Sequence, residues 1–120
     1  MQVAILKYNA GNICSVVNAL KRVGCNPIVT DNVEILLCAD RIIFPGQGAA
    51  GTTMKYLLEH GLDNVICNLK QPVLGICIGQ QLLCRHSDED NTDCLGIFPV
   101  DIKKFEPKQH DEKVPAMGWN

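Results

Sequence analysis

Residues 72–85, PVLGICIGQQLLCR, decide the fold. The run from Pro72 to Ile76 is short and apolar, which is typical of a strand buried in a parallel sheet. The run from Gln80 to Arg85 predicts a helix. Between them, Gly75-Ile76-Cys77-Ile78-Gly79 has the G-x-nucleophile-x-G spacing of a sharp turn from a strand into a helix. The stretch therefore predicts a strand, a tight turn and a helix, with a cysteine at the centre of the turn.

The rest of the chain alternates short apolar strands with amphipathic helices. Each crossover helix must hide its apolar stripe on the sheet that it spans, so the pattern predicts a parallel sheet covered on both sides. We therefore expect an α/β fold, a doubly wound and mostly parallel sheet with helices on both faces. The expected strands are 3–6, 27–30, 41–44 and 72–76, and the expected helices are 13–23, 33–37, 54–58, 62–69 and 80–85. The first strand is expected to be buried on both faces, and Asn12 can cap the helix that follows it. Beyond them we expect a polar acidic loop at 86–93 and further strand at 95–98 and 100–105.

Length, composition and charge exclude several classes of protein. The 120 residues are 47% hydrophobic and 20% charged, which is the balance of one compact domain. The formal net charge of −2 lacks the basic footprint that neutralises a phosphate backbone, so nucleic acid is not an expected partner. No apolar run approaches the roughly 18 residues that cross a bilayer, and the first residues do not resemble a signal peptide. We therefore expect a cytoplasmic protein with no membrane partner.

The cysteines and the acidic residues form no recognisable metal site. The seven cysteines favour reduced thiols, because their number is odd and none of their spacings is the C-x-x-C of a zinc or redox site. Most of them are expected to be small buried hydrophobic residues. The acidic residues at 88–93 are interpreted as a solvated loop, because the glycine and glutamate of a calcium-binding loop are absent.

Cys77 is the exception among the cysteines. The glycines at 75 and 79 leave room for a strained central residue, whose thiol would project into the crevice beyond the strand ends. The adjoining helix N-terminus favours a thiolate, and the amide of Ile78 is free to bind an oxyanion. Cys77 is therefore a candidate nucleophile, and the alternative is a buried cysteine at a glycine-flanked turn.

A second glycine-rich segment, PGQGAAG at 45–51, follows the third predicted strand. It contains G-x-G-x-x-G, but a dinucleotide site belongs on the first strand-to-helix turn and needs an acidic residue about 20 positions on. Residues 66–71 carry no carboxylate. We therefore expect the amides of Gln47 and Gly48 to approach the negative charge that develops near Cys77, completing an oxyanion site with Ile78. A plain turn is the alternative.

Three segments carry a family resemblance: YNAGN at 8–12, FPGQG at 44–48 and GICIGQQ at 75–81. They resemble the opening motif, the oxyanion strand and the nucleophile elbow of the class I glutamine amidotransferases, and in particular of the glutaminase subunits of imidazole glycerol phosphate synthases. The segments LGI at 95–97 and VPAMGWN at 114–120 are similar as well. The resemblance covers nearly the whole chain and implies a flavodoxin-like fold.

The resemblance also implies a reaction and a partner. Cys77 would attack the side-chain amide of glutamine, a γ-glutamyl thioester would form, ammonia would leave and water would release glutamate. Gly46 and Gln81 would bind the glutamine. In the family, a cyclase subunit built as a (β/α)8 barrel uses the ammonia to form imidazole glycerol phosphate in histidine biosynthesis, so a heterodimer with the cyclase is expected and no cofactor or metal is implied. The residues expected to face this partner are Asn12, Met117 and Trp119.

The sequence departs from the family pattern at three points. Gln47 stands where the family usually has valine, and Ala116 stands where it usually has histidine. The family completes its triad with a His-x-Glu or similar pair downstream, which this sequence lacks; a helix would place His86 roughly 13 Å from Cys77, beyond hydrogen-bond reach. We therefore expect residues 1–120 to be the N-terminal part of a single amidotransferase domain whose C-terminal part is missing, and to have negligible glutaminase turnover alone.

Two alternative functions stay open at this point. One is another class I amidotransferase, or a cysteine hydrolase of the same fold. The other is a non-catalytic module that binds the partner without chemistry. The reactivity of the thiol at position 77 separates catalysis from binding, because only a nucleophile needs a thiolate that reacts faster than its neighbours.

Overall fold

The architecture is that of a computed structural model, which describes residues 1–9, 12–111 and 113–114. Short strands and helices alternate through the first two thirds of the chain, and a small second sheet follows. The strands are β1 (Val3–Leu6), β2 (Ile28–Thr30), β3 (Arg41–Phe44), β4 (Val73–Gly75), β5 (His86–Ser87), β6 (Thr92–Asp93) and β7 (Asp101–Ile102). The helices are α1 (Ile13–Arg22), α2 (Val33–Cys38), α3 (Ala50–Glu59), α4 (Leu62–Asn68) and α5 (Ile78–Leu82), with a 3₁₀ turn at Glu89–Asn91.

The main sheet has the strand order β2-β1-β3-β4, and every pairing in it is parallel. Ile5 lies opposite both Val29 on β2 and Ile43 on β3, and Ile43 lies opposite Leu74 on β4. Since all four strands run the same way, their carboxyl ends meet at one edge of the sheet. The α/β class with a mostly parallel sheet is confirmed.

Apolar side chains cover the main sheet on both faces. On one face, Leu6 and Phe44 pack with buried residues of α2, α3, α4 and α5. On the other face, Ile5 and Ile43 pack against α1. All four residues of β1 are buried, as expected for a central strand between two helical layers. The predicted doubly wound arrangement is therefore confirmed.

The segment after α5 differs from the prediction. Residues 95–98 are not a strand, because the amides of Leu95, Gly96 and Phe98 donate to the carbonyls of Leu82, Cys84 and Leu83, at 2.8–2.9 Å. This segment therefore wraps around the end of α5 instead of joining a sheet. The predicted strand at 100–105 is confined to β7, and the predicted acidic loop contains β5 and β6.

The expectation that most cysteines are buried is wrong. Only Cys84 is buried, whereas three of the other structural candidates are exposed and two are partly buried. The exposed ones lie on α1, α2 and α4, which are short helices that bury two residues or fewer each. All seven are free thiols in this structure. The exposed residues of this group are Cys14, Cys38 and Cys67.

Candidate active site

Cys77 occupies the turn between β4 and α5, and its backbone lies in a strained conformation. Its φ is 52° and its ψ is −118°, a region that residues with a Cβ rarely adopt. The helix begins at the next residue, Ile78, so the turn is as tight as the sequence predicted. Cys77 is exposed. The thiol is therefore held at the surface beyond the carboxyl ends of the strands, and is not packed in the core.

Glycines at both ends of the turn make this geometry possible. A methyl group at Gly75 would lie 2.7 Å from Cα of Gln80, and one at Gly79 would collide with the carbonyl oxygen of Phe44. Both neighbours are backbone atoms, which cannot rotate away as a side chain would. The first turn of α5 consequently packs directly against the end of β3, which brings the two glycine-rich segments of the sequence together.

The loop after β3 touches the nucleophile turn. A methyl group at Gly46 would lie 2.5 Å from Cβ of Cys77 and 2.6 Å from the carbonyl oxygen of Ile76, so this position has no room for a side chain. Gln47 follows with φ 77°, and Gln47 and Gly48 are exposed. Within the described part of the chain, the amides of Gln47, Gly48 and Ile78 donate no hydrogen bond. Three unpaired backbone donors therefore lie on the two segments that flank the thiol, which is the inventory of an oxyanion site.

The loop after β1 holds the same segment from the other side. The hydroxyl of Tyr8 donates to the carbonyl of Pro45 at 2.6 Å, and the Tyr8 ring stands edge-on to Phe44, with ring centroids 5.5 Å apart. The amide of Asn12 donates to the carbonyl of Gly46 at 2.9 Å. Burial, and to a lesser extent the nearby Cys77, raises the pKa of Tyr8 to about 12. The sequence placed Tyr8 in the opening motif but did not predict this contact, since a tyrosine near a strand end carries no local signal of a bond to Pro45.

Two carboxylates from the acidic segment lie at the start of α3, which corrects their interpretation as a solvated loop. Oε2 of Glu89 accepts from the amide of Ala50 at 3.0 Å, and Oδ2 of Asp90 accepts from the amide of Gly51 at 3.1 Å. Both side chains remain exposed on their outer sides. They satisfy helix N-terminal amides that have no partner within their own helix.

A family of known proteins matches nearly the whole chain. The family described as glutamine amidotransferase class-I matches residues 5–120. The chain belongs to this family. A solved crystal structure of a glutamine amidotransferase is similar to this chain with a TM-score of 0.71 at 22% identity, covering 85% of this chain and 56% of that one, which shows the fold.

Curated relatives in the amidotransferase family are more similar in sequence. An imidazole glycerol phosphate synthase subunit HisH from Bacteroides fragilis is 60% identical over 120 residues, which is all of this chain and 61% of the relative. A protein of the same name from Maridesulfovibrio salexigens is 43% identical over 125 residues, covering 98% of this chain and 59% of the relative. The chain therefore spans about three fifths of the length of the curated relatives that it matches.

Of the other residues predicted to bind glutamine or the partner, the structure describes three. Gln81 lies on α5 and is partly buried, and its backbone amide donates to the carbonyl of Cys77 at 3.1 Å. Gly46 is buried against the turn, and Asn12 is exposed. Asn12 caps α1 as predicted, since its side chain accepts from the amide of Ser15 at 3.4 Å. Met117 and Trp119, with Ala116, lie outside the described residues.

Two of the three histidines, His60 and His86, make contacts away from Cys77. Nε2 of His86 lies 3.0 Å from Oδ1 of Asn91. Nδ1 of His60 lies 2.9 Å from the carbonyl of Tyr56, and the two rings stack at 3.8 Å. Neither of these two contacts involves Cys77.

Two kinds of feature are absent from the described residues. No helix there has the length and apolar character to span a membrane. No group of three or more His, Cys, Asp and Glu side chains is arranged to hold a metal ion in that part of the chain.

Proposed function

We propose that this chain is the nucleophile-bearing part of a glutaminase that supplies ammonia to a cyclase subunit for imidazole glycerol phosphate formation in histidine biosynthesis. One observation carries the proposal: an exposed Cys77 at φ 52° lies against Gly46, on the turn where the family has its elbow. The specific pathway is supported by relatives named as imidazole glycerol phosphate synthase subunits, at 60% and 43% identity.

The proposed reaction begins with Cys77 and its neighbouring amides. The thiolate attacks the side-chain amide carbon of glutamine and forms a carbon–sulfur bond, which places negative charge on the amide oxygen. The unpaired amides of Ile78 and of Gln47 or Gly48 would receive that charge, because they flank the thiol on two separate segments. Collapse of this intermediate breaks the carbon–nitrogen bond, and ammonia leaves with a proton from a general acid.

The second half of the reaction needs a base. Water attacks the γ-glutamyl thioester, glutamate is released and the thiol is restored. The contacts of His60 and His86 do not involve Cys77, so neither of these histidines is placed to act as the base in this step. We propose that residues 1–120 are the N-terminal part of a single amidotransferase domain. The histidine and glutamate that complete the triad in this family would then act from the C-terminal part of that domain. The isolated chain should then show negligible turnover.

Glutamine would be held by Gly46 and Gln81. Gly46 is buried, and even a methyl group at this position would collide with Cys77. A substrate that reaches the thiol would therefore lie next to the backbone of Gly46. Gln81 lies one helical turn after Cys77 and is tied to it by a 3.1 Å backbone bond. A side chain four residues after the nucleophile lies on the same face of the helix, which supports a role in substrate binding.

The proposed partner is a cyclase of the (β/α)8-barrel type, in a heterodimer. Asn12 is exposed, and its backbone amide holds the carbonyl of Gly46 at 2.9 Å. A partner that contacts Asn12 would thus lie one hydrogen bond away from the oxyanion segment. The expected contacts of Met117 and Trp119 stay predictions, as does a cytoplasmic location.

An electrophilic analogue of glutamine tests the proposal on the chain itself. A chloroketone at the γ position presents a carbonyl to the oxyanion site, and the thiolate of Cys77 displaces chloride to leave a stable carbon–sulfur bond. We expect Cys77 to be alkylated faster than the other six cysteines, with a rate that saturates with analogue concentration and falls when glutamine is added. Peptide mapping by mass spectrometry measures each cysteine, and Cys77→Ser is the control.

Two results would contradict the proposed function. Labelling of Cys77 at the rate of Cys14 or Cys38, both exposed on helices, would favour a non-catalytic partner-binding module. Rapid labelling without protection by glutamine would favour a cysteine hydrolase with another substrate. Co-purification with a cyclase barrel separates the proposed pathway from that of another class I amidotransferase.

A further inference from the structure

The acidic turn after β5, residues 88–91, holds the start of α3, which lies 39 residues earlier in the chain. Helix α3 begins without a cap of its own, since the residue before it, Ala49, has no side-chain acceptor. Glu89 and Asp90 supply the missing acceptors to the first two amides of the helix, Ala50 and Gly51. Negative charge at a helix N-terminus is favourable because the backbone dipoles point their positive ends there. The start of α3 is therefore fixed by a distant segment.

The turn has a specific shape that presents these carboxylates. Asp90 and Asn91 are both left-handed, at φ 55° and 44°. Asp and Asn tolerate that region better than other residues with a Cβ. The hydroxyl of Thr92 donates to the carbonyl of Glu89 at 3.0 Å, and Nε2 of His86 lies 3.0 Å from Oδ1 of Asn91. These two contacts hold the turn on both sides and fix the position from which Glu89 and Asp90 reach α3.

The contact joins the two segments that form the candidate oxyanion site. The acidic turn follows α5, which carries the amide of Ile78, whereas α3 directly follows the loop that carries the amides of Gln47 and Gly48. A displacement of α3 relative to the turn would therefore move one set of donors relative to the other. Hydrogen bonds to a developing charge weaken steeply when distances or angles leave their narrow optimum.

We infer that Asp90 is a positioning residue, which holds the first turn of α3 and with it the oxyanion segment in register with the nucleophile turn. The inference rests on the proposed glutaminase function and adds a residue to it. Asp90 is chosen over Glu89 because its shorter side chain needs fewer torsions to be fixed. Asp90 also packs closely on the helix itself, since a methyl group at Gly51 would lie 3.0 Å from both Cβ and Oδ2 of Asp90.

The test uses the chloroketone analogue of glutamine on the 120-residue chain and separates binding from chemistry. Asp90→Ala should lower the maximal alkylation rate of Cys77 about tenfold, short of the ~100-fold that loss of an oxyanion donor costs. The analogue concentration at half-maximal rate should change less than about twofold, because Asp90 is not proposed to touch the substrate. Asp90→Asn keeps an acceptor oxygen and tolerates the left-handed backbone, so it should restore most of the rate.

A matched control lies in the same turn. The carboxylate of Asp88 accepts from the amide of Lys104 at 3.2 Å, so it is held by another part of the chain. Asp88→Ala removes the same charge from the same turn and should leave the alkylation rate of Cys77 unchanged. Equal losses in Asp88→Ala and Asp90→Ala would overturn the inference, because they would show an effect of charge or of turn stability alone.

A second variant perturbs the contact from the other side. Gly51→Ala favours the helix by propensity but crowds the Asp90 carboxylate, so it should lower the maximal rate without loosening the fold. If Asp90→Ala unfolds, shown by rapid iodoacetamide labelling of buried Cys84, Gly51→Ala decides the matter. Parental rates in a folded Asp90→Ala or in Gly51→Ala would overturn the positioning role and leave the proposed function intact. A parent chain without glutamine-protected labelling of Cys77 would overturn both.

Discussion

Gly79→Ala is the sharpest test of how the nucleophile turn is built. Alanine favours a helix over glycine by about 1 kcal/mol, so propensity alone predicts stabilisation. The added methyl group, however, collides with the carbonyl oxygen of Phe44 and lies 2.9 Å from that of Pro45. Overpacking of this kind costs about 1–3 kcal/mol, and it disturbs the 3.0 Å bond from the amide of Ile76 to Phe44, which contributes about 1 kcal/mol. We expect a net loss of about 1–3 kcal/mol in the free energy of unfolding.

Thermal unfolding followed by circular dichroism measures this loss. For a chain of 120 residues, 1 kcal/mol corresponds to about 4 °C in Tm, so Gly79→Ala should melt about 4–12 °C below the parent. Gln80→Ala is the matched control, because Gln80 is exposed on the same helix and its replacement should change the free energy by less than about 0.5 kcal/mol. A Gly79→Ala variant that melts at or above the parent would refute the close contact between α5 and β3.

Two further predictions concern a buried phenol and a helix cap. Because the folded pKa of Tyr8 is raised from 10.0 to about 12, the folded state binds that proton more tightly than the unfolded state. The associated stability is complete below pH 10 and is lost as the pH rises towards 12. Urea titrations across that interval should show this loss in the free energy of unfolding of the parent and not of Tyr8→Phe. An equal dependence of that free energy on pH in the two proteins would contradict the prediction. Oδ1 of Asn32 accepts from the amide of Ile35 at 3.1 Å and caps α2. Asn32→Ala should lower the free energy of unfolding by about 1 kcal/mol, whereas Asn32→Asp should retain the cap; equal melting temperatures for these two variants would speak against it.

Local patterns in the sequence were sufficient for the main sheet. The run Val3–Leu6 predicted a strand buried on both faces, and the structure places it at the centre of four parallel strands. Asn12 predicted the start of α1, and its side chain forms the cap. Hydrophobic period and capping chemistry act within a few residues of the chain, so they can be recognised before the fold is known.

The prediction was wrong where backbone partners come from elsewhere. Residues 95–98 have an apolar composition typical of a strand, but their amides bond to carbonyls at the end of α5. The acidic residues Glu89 and Asp90 have the composition of a solvated loop, but they cap a helix 39 residues earlier. In both cases a hydrogen bond between distant segments determined the conformation, and no local pattern records such a bond.

The sequence by itself determined the order of strands and helices, the glycine-flanked cysteine and the strain that this spacing imposes on Cys77. These depend on side-chain size and backbone freedom within a few neighbouring residues. Only the tertiary structure decided that Gly46 packs against Cys77, that Tyr8 holds Pro45 and that Asp90 reaches α3. The physical reason is that these contacts join segments distant in the chain, and their distances follow from how the helices pack on the sheet.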